Sequence, residues 1–160
     1  MAIAVGKKMP AGSFSVMGEN GPETLSTDAL FAGKKVVLVS VPGAFTPTCS
    51  KGHLPGYISH ADEMLAQGVD TIACMAVNDV FVMHAWGKDR GVGDKVLMLA
   101  DGNGDYTRAL GLELDATGYG MGQRGQRFAI VVDDGVATHV AVEAAGEFKV
   151  SKAEAILAQL

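Results

Sequence analysis

The chain has 160 residues, 48% of them hydrophobic and 19% charged, with a formal net charge of -5, which suits one domain over residues 1–160 with a sizeable core. Its lysines and arginines are scattered, as in Lys34-Lys35 and Lys88-Asp89-Arg90, which excludes the basic runs that grip nucleic-acid phosphates. No stretch approaches the roughly 18 apolar residues of a membrane span, and Met1 to Lys8 lacks the order of a signal peptide, so the expected location is the cytoplasm with no membrane partner.

Ser13-Phe14-Ser15-Val16 predicts a short strand, Gly18 to Pro22 a turn, and Ser26 the cap of a single helical turn to Phe31. The β-branched run Val36-Val37-Leu38-Val39-Ser40-Val41 predicts a buried strand that breaks at Pro42-Gly43. After Ala44-Phe45, Thr46 is a favoured N-cap residue and Pro47 suits the first helical position, where no N–H is missed. The helix then runs to about Gln67 with Gly68 as its stop, and Pro55 and Gly56 mark a kink or break. On this register Cys49 occupies the first turn. There the free backbone N–H groups and the helix dipole favour an anion, hence the thiolate, which is the nucleophilic form of cysteine. An ordinary packed cysteine is the other possibility.

Val69 to Val77 predicts a second strand and Asn78-Asp79 the cap of a helix through about Lys88. Val96 to Ala100 is a third strand, Tyr106 to Leu110 a short helix, and Ser151 to Leu160 the last helix. Between them Phe128–Val132 and Val136–Val142 form a hairpin across Asp133-Asp134-Gly135. The rhythm implies an α/β, thioredoxin-like fold with a mixed central sheet, parallel in its middle, and helices on both faces. Gly118 to Gly125 is the most flexible-looking stretch, but it precedes a strand and lacks the order of a phosphate loop, so no nucleotide cofactor is expected.

Cys49 and Cys74 are too far apart for a Cys-x-x-Cys pair, and Cys74, inside an apolar strand, reads as structural. The four histidines match no zinc spacing with them, so no metal is expected. His53, four residues after Cys49, could serve as the base of a cysteine hydrolase or acyltransferase.

Pro42-Gly43-Ala44-Phe45-Thr46-Pro47-Thr48-Cys49 resembles the peroxiredoxin signature of proline, three residues, threonine, two residues, cysteine. The continuation to Tyr57, the segment Ala76 to Val82 and the segment Arg127 to Gly135 are similar to the peroxiredoxin-5-like, or type II, branch, so the resemblance spans nearly the whole chain. It implies a thiol-dependent peroxidase acting on hydrogen peroxide and alkyl hydroperoxides. Cys49 would be the peroxidatic cysteine, Thr46 the hydroxyl that hydrogen-bonds the peroxide, Arg127 the cation beside the sulfur, and Pro42 a ring that keeps water from the thiolate. Arg124 matches a second arginine common in the branch, where it would orient its neighbours or screen charge.

Glu147 to Ser151 lacks the resolving cysteine that some relatives carry there. The resemblance therefore implies a one-cysteine mechanism, with an external thiol reductant such as glutathione with glutaredoxin, or thioredoxin. It also implies a homodimer paired through loops around the active site, with Phe45 and Trp86 as exposed anchors or, equally, core residues. A redox-sensing or binding module without rapid turnover is the competing function for the same residues.

Overall fold

The computed structural model describes all residues, 1–160. A seven-stranded sheet runs in the order β2-β1-β5-β4-β3-β8-β9, formed by β1 (Ser13–Gly18), β2 (Gly21–Ser26), β3 (Lys35–Ser40), β4 (Thr71–Ala76), β5 (Leu97–Ala100), β8 (Phe128–Asp133) and β9 (Val136–Val142). β3, β4 and β5 pair in parallel, while β8 and β9 on one side and β1 and β2 on the other are antiparallel. This is the mixed sheet expected, with a thioredoxin-like order.

The pleat divides the core. Val37, Val39, Ile72 and Cys74 point to one face and pack with Leu54, Tyr57, Met83, Trp86 and Ile156. Val36, Leu38, Ala73 and Met75 point to the other and pack with Leu30, Phe31, Tyr106 and Leu110. Burial on both faces explains why β3 reads as an unbroken apolar run rather than an alternating one. The first layer carries α2 (Leu54–Ser59), α3 (Ala61–Ala66), α4 (Val80–Arg90) and α6 (Ala153–Leu157), and the second carries α1 (Thr27–Phe31) and α5 (Asp105–Leu110). None of these helices is long and apolar enough to cross a membrane.

Local signals account for most boundaries. The Ser26 side chain accepts the Ala29 N–H at 3.1 Å and the Asp79 side chain accepts the Val82 N–H at 2.9 Å, both as expected of caps. Asp134 and Gly135 adopt φ of 47° and 80°, the two positive values of a tight hairpin turn.

Four elements differ from the sequence expectation. The helix expected from Pro47 to about Gln67 is interrupted at His60, between α2 and α3, and Pro55 and Gly56 lie inside α2 rather than at the break; Pro55 sits in its first turn, where no N–H is missed. Gly21 to Ser26 is a strand, not the end of a turn; Pro22 is tolerated there because β2 is the sheet edge, where a missing N–H costs no ladder bond. The glycine-rich stretch is ordered as a single 3-10 turn, Thr117–Tyr119, and a small hairpin of β6 (Glu113–Asp115) with β7 (Gln123–Gly125). The last helix, Ala153–Leu157, is shorter than expected at both ends; Ser151, its expected start, lies outside it and commits its N–H and hydroxyl to Glu143 at 2.8 and 2.6 Å.

Candidate active site

β3 ends at Ser40, and the chain turns through Pro42 to Phe45 before becoming helical at Pro47. Ala44 N–H donates to Asn78 Oδ1 at 3.0 Å, which ties the turn to the residue before the α4 cap. Phe45 adopts φ of 65°, unusual for a residue with a side chain, and its ring is 52% exposed. The Thr46 hydroxyl does not cap the helix. It donates to the Gly43 carbonyl at 2.7 Å, while the Thr46 carbonyl accepts the Ser50 N–H at 2.9 Å. With its proton given to Gly43, the hydroxyl keeps lone pairs for a further donor.

The helix opens with a π-helical turn, Cys49–His53, in which the Cys49 carbonyl accepts from the Leu54 N–H. Pro55 has no N–H, so in this wider ladder the Ser50 carbonyl has no partner within the helix. Arg90, at the end of α4, supplies one: its Nη1 donates to that carbonyl at 3.1 Å, and Trp86 Nε1 donates to Ser50 Oγ at 2.9 Å. Trp86 is fully buried, which leaves Phe45 alone of the two candidate anchors at the surface.

Cys49 is fully buried, and Arg127, immediately before β8, reaches it: Nη2 donates to Sγ at 3.1 Å. Nη1 of the same guanidinium donates to His53 Nδ1 at 2.9 Å, and its Cζ lies over the Phe148 ring, 5.8 Å from the centroid. His53 Nε2 stands 3.0 Å from the Ser151 carbonyl. A carbonyl only accepts, so the proton is on Nε2 and Nδ1 is the bare acceptor. Burial first and Arg127 second lower the His53 pKa to about 4, so the ring is neutral at pH 7. With both nitrogens engaged elsewhere, His53 is not placed as a base for Cys49, and the hydrolase reading loses its key group.

The Ser151 carbonyl also accepts from the Tyr57 hydroxyl at 2.6 Å. Behind it, Glu143 Oε2 accepts from the N–H of Lys149 and of Ser151 at 2.8 Å each and from the Ser151 hydroxyl at 2.6 Å. Burial opposes the charge on Glu143, yet these bonds outweigh it and lower its pKa.

A cavity of about 410 Å³ adjoins this cluster, lined by Pro42, Thr46 and Arg127 together with Tyr119, Met121 and Ala144. The structure thus brings together all four residues singled out in the sequence. Arg124 does not bond the sulfur: Nε and Nη1 donate to the Met121 and Val77 carbonyls at 2.9 and 3.1 Å, tying the loop before β7 to the residue after β4. Cys74 is buried in β4, and burial together with the nearby Cys49 pushes its thiol well up, away from ionisation. Glu143, Phe148 and Ser151 were not legible as site residues, because no local motif marks them.

The family model described as Redoxin matches residues 4–157. The chain is 52% identical to Peroxiredoxin-2B of Arabidopsis thaliana, over 99% of this chain and 98% of that one. Among solved structures it is similar to reduced Prx3 from Vibrio vulnificus in complex with H2O2, with a TM-score of 0.95 and 52% identity over 98% of each chain. Peroxiredoxin 5 from Alvinella pompejana gives a TM-score of 0.86 at 37% identity, over 98% of this chain and 96% of that one.

Proposed function

The chain belongs to the redoxin family as a peroxiredoxin, a thiol-dependent peroxidase consistent with the type II branch, and on that premise we propose that Cys49, Thr46, Arg127 and Pro42 carry its reaction. The substrate is a hydroperoxide and the turnover partner a thiol reductant. The observation that carries the residue assignment is the 3.1 Å contact of Arg127 Nη2 with Cys49 Sγ beside a cavity lined by Thr46 and Pro42.

In the proposed step the Cys49 thiolate, its proton already released to solvent, attacks the nearer peroxide oxygen; an S–O bond forms as the O–O bond breaks, the nearer oxygen keeps its hydrogen in the sulfenic acid, and the outer oxygen takes a proton from solvent and leaves as water or alcohol. Arg127 stabilises the thiolate and the charge that develops along the O–O axis. Thr46, whose own proton goes to Gly43, accepts from the peroxide O–H and aligns it. Pro42 offers no polar group and keeps the sulfur dry.

Stopped-flow oxidation of the reduced protein by hydrogen peroxide and by tert-butyl hydroperoxide tests this, with the single tryptophan, bonded to Ser50 beside the reacting cysteine, as reporter. Fast oxidation lost in Cys49→Ser and kept in Cys74→Ser is expected. Loss in Cys74→Ser alone, or retention in Cys49→Ser, overturns the assignment.

We further propose a one-cysteine cycle. The sulfenic acid on Cys49 condenses with an external thiol, glutathione with glutaredoxin or thioredoxin, releasing water, and a second thiol then releases reduced Cys49 as a disulfide forms between the two reductant sulfurs. The burial of Cys74 within β4 supports this. A Cys49–Cys74 disulfide as the main product of one peroxide equivalent, read by mass spectrometry, overturns it. A homodimer belongs to the same proposal, supported by the exposed rings of Phe45, Phe81 and Tyr119, and a clean monomer in sedimentation at micromolar concentration refutes it. So does a cytoplasmic location, since chemistry that starts from a thiol suits a reducing compartment; recovery of the protein from another fraction of the cell counts against it.

A further inference from the structure

The guanidinium that faces Cys49 is the end of a long side chain with several free torsions, so something has to select which of its nitrogens meets the sulfur. Backbone position does only part of this. Arg127 precedes β8 and its carbonyl accepts the Glu143 N–H at 3.0 Å, which fixes where the side chain starts but not where it ends. Two contacts fix the end: the Phe148 ring at 5.8 Å, which is undirected in the guanidinium plane, and the bond from Nη1 to His53 Nδ1 at 2.9 Å, which is directed. With Nη1 held there, the planar fork leaves Nη2 toward Sγ at 3.1 Å.

We propose that His53 is a positioning residue for the peroxidase reaction: a neutral imidazole whose Nδ1 accepts from Arg127 and so aims the guanidinium at the Cys49 sulfur.

The ring can do this in only one tautomer, with Nε2 protonated, and the fold sets it. The Ser151 carbonyl takes the Nε2 proton at 3.0 Å and the Tyr57 hydroxyl at 2.6 Å, and Ser151 is itself held through its N–H and hydroxyl on Glu143. Phe148 stands edge-on to the imidazole at 5.1 Å and Tyr57 lies at 5.6 Å, which confines its tilt. Protonation would replace the acceptor by a donor facing a cation, and burial together with that cation resists it. The segment before the last helix, which carries no residue at the sulfur, thereby orders the group that does.

This rests on the role proposed above for Arg127, and a double-mutant cycle separates the two. The second-order rate constant for Cys49 oxidation is measured in wild type, His53→Leu, Arg127→Leu and the double variant, with thermal unfolding of each as a check on folding. Slowing by Arg127→Leu reads the earlier assignment, and an Arg127→Leu protein as fast as wild type refutes that assignment and this one with it. Given that slowing, His53→Leu should cost about tenfold in the wild-type background and less than about twofold when Arg127 is already leucine. An equal cost in both backgrounds refutes positioning through Arg127 and leaves the Arg127 assignment standing. His53→Asn sets an amide oxygen at the level of Nδ1, whereas His53→Gln sets its amide at the level of Nε2. The asparagine variant should keep a rate within about threefold of wild type and exceed the glutamine variant, a comparison that stands even where His53→Leu does not fold. Equal rates for the two overturn the proposal.

Discussion

Glu143 offers a strong test of how the site is held, because a single carboxylate oxygen fastens the whole segment that ends in Ser151. It is 8% exposed, and Oε2 accepts from two backbone N–H groups and one hydroxyl. Glu143→Ala leaves those donors without an acceptor. Two belong to Ser151, which is fully buried, whereas the Lys149 N–H is on an exposed residue and can turn to water. A hydrogen bond to a charged group is worth about 1.5–3 kcal/mol, and since these share one oxygen they are not additive, so the expected loss is about 3 kcal/mol. In a chain of this size that lowers Tm by roughly 6–12 °C in calorimetry at neutral pH. Glu147→Ala is the control: its carboxylate pairs with Lys149 Nζ at 3.3 Å in solvent, where such pairs contribute under about 1 kcal/mol. A loss no larger than the control's refutes the clamp. The pH dependence has a definite sign. The folded Glu143 carboxyl lies below its unfolded value of about 4.3, so its contribution is complete above that value and is lost as pH falls through the folded one. The Tm gap between wild type and Glu143→Ala should therefore close on acidification.

Trp86→Phe keeps most of the buried ring but removes the donor to Ser50 Oγ, so stability should fall by about 1 kcal/mol, with unfolding of the Cys49 turn read as faster amide exchange there; unchanged exchange would show that Trp86 does not hold it. Protonated His60 donates from Nδ1 to Glu63 at 2.9 Å and from Nε2 to Glu154 at 3.0 Å, and the bond to Glu63 first, with Glu154 adding to it, raises its pKa. A raised value stabilises the fold below the unfolded pKa of about 6.5 and is lost as pH rises through the folded one, so His60→Ala should lower Tm in mild acid and leave it unchanged well above neutrality; equal effects at both would refute the pairing. Cys74 should resist iodoacetamide in the native protein and react once it is unfolded, as peptide mapping will show; native labelling would contradict its burial.

What could be read from the sequence is what is encoded within a few residues. The run from Val36 to Val41 states its own burial on both faces, Pro42 and Pro47 bracket the turn that delivers Cys49, and Asp134-Gly135 specifies its hairpin. β2 was missed because Pro22 is a breaker everywhere except at a sheet edge, and which strand is the edge is a property of the assembled sheet. The cap expected of Thr46 is not formed either: in the turn its hydroxyl donates to the Gly43 carbonyl, and no helix N–H reaches its lone pairs. In the π-helical turn the missing N–H of Pro55 is legible locally, whereas the guanidinium of Arg90 that serves the freed carbonyl comes from 40 residues away. The same holds with more force for the shell around the sulfur. Cys49, Thr46 and Pro42 lie in one signature, but His53, Glu143 and Ser151 meet only because the β8–β9 hairpin returns Glu143 beside Arg127 and the last segment crosses the start of α2. A nucleophile can be written in a local motif, since the turn and the helix start that place it are themselves local. The orientation of its arginine is a tertiary property, distributed over side chains that no spacing rule connects, and it is there that substitution should alter rate while leaving the fold recognisable.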